Sequence, residues 1–131
     1  MEKVKINFVH ISENAFFSKD NKLNIIGIFD KVFAINFPAV HPVFAIAVNI
    51  SGERGTHKII IEIISPEDKA IVKIEKDVEI SQENGMSNFV ANLIGIQFPV
   101  EGAYKIKVAV DNLTTNESSH IILEKSNDGK F

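Results

Sequence analysis

A two-residue rhythm, broken at short intervals by turn residues, is what most limits the folds open to this chain. In "AYKIKVAVD", Tyr104, Ile106, Val108 and Val110 alternate with Lys105 and Lys107, and a period of two puts one set on each face of an extended strand. The rhythm recurs from Val4 to Ile11, where Val4, Ile6, Phe8 and His10 oppose Lys5 and Asn7. It recurs again from Ile71 to Ile80, where Val72, Ile74, Val78 and Ile80 oppose Lys73, Glu75, Asp77 and Glu79. Lys76 intrudes on the apolar set there, the mark of an edge or a bulge. Val43 to Ile50 and His57 to Ile64 are apolar on nearly every position, as strands covered on both faces are.

Turn chemistry separates these runs: Ser18-Lys19-Asp20-Asn21, Ser65-Pro66-Glu67-Asp68, Asn84-Gly85 and Asp111-Asn112. "SENAFFSKDNK" reads as a connector after the first strand, and Leu23 to Ile35 as one extended segment bent at Gly27. Pro38 and Pro42 bracket "NFPAVHP" as a fixed break before the next strand, since neither can donate to a ladder. The outcome is about seven to eight strands at sandwich spacing, with no helical period. The fold class expected is all-β, an antiparallel β-sandwich.

At 131 residues the chain has the size of a single domain, taken here as 1–131 with a polar tail frayed from about 125. It has no cysteine, which excludes disulfides, thiolate metal sites and cysteine nucleophiles. Fourteen basic and 17 acidic residues give a net charge of −3, so no long-range field draws the chain to nucleic acid or an anionic membrane. The start shows no signal-peptide pattern and no run long enough to span a bilayer, so the expected location is cytoplasmic.

"GAYKIKVAVD" resembles the late strands of immunoglobulin-like sandwiches, in which a Gly-x-Tyr step opens a strand and the tyrosine hydroxyl bonds back to the corner backbone. The residues concerned are Gly102 and Tyr104; the absence of a cysteine pair and of tryptophan sets the chain apart from antibody-type domains. Over about Leu23 to Asp111, "LNIIGIFDKV", "FPAVHPVFAIAV" and "GAYKIKVAVD" together resemble an uncharacterised family of small bacterial proteins. That resemblance implies an immunoglobulin-like β-sandwich and brings no activity, cofactor or catalytic residue with it.

Candidate chemistry is thin. Among His10, His41, His57 and His120 the closest pair, at 41 and 57, is sixteen positions apart, so no metal-ligand spacing is present. Glu75, Asp77 and Glu79 share a face with Lys73 and read as a solvated strand side rather than an acid-base pair. Asp20, Asp30 and Asp111 lie in or near turns without a calcium-loop spacing. No Gly-x-Ser-x-Gly elbow or phosphate loop occurs. Phe16 and Phe17 stand out, because two adjacent aromatics in a polar connector do not fit strand alternation; they are read as a lid over the sandwich edge or an apolar contact.

Two functions follow as expectations. The first is a non-enzymatic cytoplasmic binding or scaffolding module, without metal or cofactor, acting through a protein partner or self-association. The second is a small-ligand binder or enzyme with a pocket near Phe16, Phe17, Asn24, Asp30 and His41. Gly27, Pro38, Pro42, Gly102 and Tyr104 are expected to shape the backbone.

Overall fold

In the computed structural model, which describes residues 4–112 and 114–126, the alternation becomes nine strands. They are β1 (Val4–Phe17), β2 (Leu23–Ile28), β3 (Lys31–Ala34), β4 (Ala39–Gly52), β5 (Gly55–Ile64), β6 (Ala70–Ile80), β7 (Gly85–Phe98), β8 (Gly102–Val110) and β9 (Thr114–Lys125). One sheet runs β2-β1-β4-β7 and the other β3-β9-β8-β5-β6. All pairs are antiparallel except β3, which lies parallel to β9.

The two sheets close on one another because each turns an apolar row inward. Phe44, Ile46, Val48 and Ile50 of β4 meet Ile59, Ile61 and Ile63 of β5 and Tyr104, Ile106, Val108 and Val110 of β8 in one core. Full burial of each such aliphatic side chain is worth roughly 1.5–3 kcal/mol. Tyr104, wholly buried, donates its hydroxyl to the Val100 carbonyl at 2.6 Å and accepts from the Val100 N–H at 3.1 Å. That is the tyrosine corner of immunoglobulin-like sandwiches, and the fold is an all-β sandwich of this kind. Gly102, two residues earlier, lies against the Pro66 ring.

The other face of β4 is covered too. Ala45 and Ala47 alternate with the core row yet are fully buried, in a second cluster with Ala15 of β1. Leu23, Ile25, Phe8 and Val90 pack onto it. The hairpin of β1 and β2 therefore folds back so that Ala15, Leu23 and Ile25 lie on the outer face of the first sheet. Alanine at 45 and 47 leaves room for these side chains.

Three boundaries differ from those the sequence suggests. "SENAFF" is not a connector: β1 runs on to Phe17, and Asn14, Ala15, Phe16 and Phe17 pair with Ile26, Ile25, Asn24 and Leu23. Its polar residues suit a strand whose one side faces solvent, and Asn21 in the left-handed region (φ 62°) closes the hairpin. The segment from Leu23 to Ile35 is two strands, one in each sheet, divided at Phe29 and Asp30. Pro42 lies inside β4 instead of ahead of it. Pairing with β1 reaches only to Ala45, so the missing N–H at 42 removes no bond on that side.

Candidate functional site

Near the first residues of β4, two strands rotate together. Along β7 the inward side chains are Ala91 and Leu93, then Ile96 and Phe98, a step of three across Gly95. On β4 the matching step runs from Phe44 to His41, with Pro42 and Val43 between and His41 paired to Ile96. Gly95 permits it by taking φ 65°. His41 is thus turned inward, its ring 5.6 Å from Phe29 and 5.7 Å from Phe44.

A cavity of about 320 Å³ opens here, walled by Phe29, Val32, Phe33, Ala39, Phe98 and Leu123, with Glu13, Lys31 and His41 as its charged or titratable members. Its size is at the lower end of small-molecule sites, and mostly apolar walls with few polar groups are their usual make-up. Glu13 is brought in by Gly27: the hairpin backbone at φ 73° lets the Glu13 side chain lie over the glycine, where an added Cβ would sit 3.2 Å from Glu13 Cγ. Burial pushes the His41 imidazole below its ordinary range, against the opposing pull of the Glu13 charge. Lys31 is held at the rim, 3.8 Å from a Glu124 oxygen and 5.7 Å from the centre of the Phe33 ring.

Of the five residues the sequence singled out for a pocket, only His41 lines this one. Asp30 is exposed and outside the lining, and its backbone carbonyl accepts from the Ile122 N–H at 2.7 Å. Phe16, Phe17 and Asn24 belong to the hairpin and are likewise outside the lining. Asn24 donates to the Lys22 carbonyl in the hairpin turn. Pro42 is in the wall, whereas Pro38, preceded by a cis peptide bond from Phe37, is not. Glu13, Phe29 and Phe33 were missed; the signal for Glu13 was its place across the hairpin from Gly27.

A histidine and an aspartate do meet elsewhere. His57, 6% exposed at the start of β5, has Nδ1 2.6 Å from Asp111 Oδ2 and Nε2 2.7 Å from the Glu53 carbonyl. Asp111 Oδ1 also accepts from the Lys58 N–H at 2.9 Å. Both ring nitrogens face acceptors, so the geometry suits the doubly protonated imidazolium. Burial pulls this histidine down, but its hydrogen bonds to Asp111 and the Glu53 carbonyl, with the charges of both residues, outweigh it and the net shift is upward. With each nitrogen committed, the pair is a clamp between β5 and the turn after β8, and neither nitrogen is placed to take a substrate proton.

Asp20 is bonded to Ser18 at 2.6 Å and paired with Lys22 at 3.1 Å in the hairpin turn, both of which hold its carboxyl below the usual range. Asp20, Asp30 and Asp111 do not gather, and among the described residues no three His, Asp or Glu side chains converge as metal ligands. Nor do the described residues include a helix long and apolar enough to cross a membrane.

The sheet edges form the second candidate site. Among the described residues the two sheets leave four edges, and three carry the features that discourage another strand from adding. β3 has four residues, β2 has six with the kinked Gly27 among them, and β6 carries Lys73, Glu75, Lys76, Asp77 and Glu79. β7 is different: "GMSNFVANLIGIQF" has fourteen residues without one charge, and ten of them, residues 85–94, precede its own rotation at Gly95. Its outer row, in register with the outer face of β4, is Met86, Asn88, Val90, Asn92 and Ile94. Met86 is 69% and Ile94 76% exposed. Asn88 ends an amide row across the sheet, in which Asn7 donates to Asn49 at 2.7 Å and Asn49 to Asn88 at 2.6 Å.

Compared with known proteins, residues 7–121 match the model of a family of unknown function, DUF6941, and the chain belongs to that family. No curated protein matches it. Among solved structures, a Pseudomonas fluorescens alkylpurine DNA glycosylase, AlkC, bound to DNA containing an abasic site analog, is similar over 93% of this chain with TM-score 0.50 and 7% identity. This chain spans 30% of that one's length, and likeness at such identity concerns the fold. An immunoglobulin-like protein from Pseudomonas aeruginosa is similar over 94% of this chain and 98% of its own, with TM-score 0.41 and 14% identity.

Proposed function

Since membership in a family of unknown function brings no activity with it, we propose that this chain is a non-enzymatic binding module acting through protein-protein contacts, with β7 as its contact strand. One observation carries the reading: a long edge strand without charge, beside three edges that are short, kinked or charged. An edge strand presents backbone N–H and C=O groups that an extended partner satisfies, and its side-chain rows then choose the partner. The commitment of His57 and Asp111 to each other and to backbone groups supports a non-catalytic role.

The test is the double substitution Met86→Lys and Ile94→Lys. Both positions are open to solvent, so folding stability should stay within about 0.5 kcal/mol. Association measured by sedimentation should weaken at least tenfold. Association unchanged by two lysines on this row would contradict the proposal.

The cavity at His41 supports a second reading, a binder of a small ligand with an apolar body and one basic group set against Glu13. Phenethylamine should shift the NMR signals of His41 and Phe33, and Glu13→Gln should weaken it at least fivefold. Equal binding of 2-phenylethanol would remove the role given to Glu13.

A further inference from the structure

The outer row of β7 reads the same in both directions. From Met86 to Ile94 it runs apolar, amide, apolar, amide, apolar: Met86, Asn88, Val90, Asn92, Ile94. Val90 is the midpoint, and Gly85 and Gly95 stand at equal distances beyond it. Gly95 is also where the strand rotates, so the regular stretch ends there.

A two-fold interface needs a surface complementary to itself, because where one residue of the first copy meets a second residue of its mate, the same two meet again with the copies exchanged. Resting on the reading of β7 as a contact strand, we propose that its occupant is a second copy of this chain, with the two β7 strands antiparallel and centred on Val90. Val90 then faces Val90 of the second copy, each Asn88 faces an Asn92, and each exposed Met86 faces an Ile94. The uncharged strand opposes no like charges when laid beside itself, whereas β6 in the same arrangement would crowd its own. The amide row from Asn7 through Asn49 to Asn88 continues into Asn92 of the second copy, since an amide has donors and an acceptor. Two four-stranded sheets thereby become one continuous sheet.

Native cysteine is absent, so introduced thiols report the register without background. Residues directly opposed across an antiparallel pair have Cα atoms about 4.5 or 5.5 Å apart, within disulfide range. Val90→Cys should therefore link to itself under mild oxidation. Met86→Cys alone and Ile94→Cys alone should not, their symmetry mates lying roughly 26 Å away along the strands. A mixture of those two single variants should link to each other. In parallel, Met86→Lys with Ile94→Glu should restore the association that Met86→Lys with Ile94→Lys removes, and the restored dimer should weaken with salt. Melting curves of each variant at low concentration check that the monomer folds.

Dimers that link through other positions would overturn this register and leave β7 as a contact strand. A chain that stays monomeric, but whose capture of another protein is lost with the two lysines, would overturn self-pairing and spare the wider reading. A monomer whose contacts ignore β7 altogether would overturn both.

Discussion

β6 and β7 are successive strands that lie beside each other across the sandwich, each at the edge of its sheet. They meet the same physical problem, a row of backbone groups with no neighbour, in opposite ways. β6 places Lys73, Glu75, Lys76, Asp77 and Glu79 along eleven residues, so any strand laid beside it buries charge. β7 has more length and no charge, and sets Met86 and Ile94 in solvent. A fold able to protect three edges and leaving one unprotected points to use of that edge.

The difference can be broken in three ways beyond those already described. The largest effect comes from β7's other face: Leu93 is buried in the core, and Leu93→Ala should cost about 2–4 kcal/mol of stability in thermal or denaturant unfolding. Against the near-neutral lysines at 86 and 94, that contrast divides the strand into a structural face and a contact face. A loss below about 1 kcal/mol would mean β7 is not anchored as described.

The next effect is pH. Beside β6, on β5, the His57 clamp has a pKa raised in the folded state, so its contribution is complete below the unfolded value near 6.5 and is lost as pH rises through the folded value. Stability should therefore fall as pH rises through that range, read by denaturant unfolding across it, and Asp111→Asn should remove most of the dependence. β7 carries no titratable side chain, so its self-pairing should be flat across the same range. Association that followed the His57 titration would tie the two edges together and contradict their independence.

The smallest effect on stability, within about 0.5 kcal/mol, is expected from Glu75→Val with Asp77→Val, both exposed on β6. Its consequence lies in association: with two charges gone, β6 should begin to self-pair, measured as larger species in sedimentation. A variant that remained as it was would mean charge is not what protects this edge.

How much of this was readable in advance follows from which signals are local. β8 and the core row of β4 were legible because alternation and burial coincide there. The tyrosine corner was legible because Gly102 and Tyr104 carry it within three residues. The far half of β1 was not: Ser12, Glu13 and Asn14 are polar, and only pairing with β2 makes that stretch a strand. Pro42 looked like a boundary because its tolerance depends on where β1 stops pairing. Asp30 and His41 stood close in sequence, yet Asp30 lies where the chain crosses between sheets, while the step opposite Gly95 turns His41 into the cavity that Glu13 also lines. The long charge-free edge was equally hidden, since a strand is an edge only once the strand order is known.

Amide hydrogen exchange resolved along β7 and β6, at low and high protein concentration, tests the asymmetry most directly. Alternate β7 amides between Ser87 and Leu93 should gain protection as concentration rises, while the outward amides of β6 should exchange at one rate throughout. Equal, concentration-independent exchange at both edges would contradict the asymmetry.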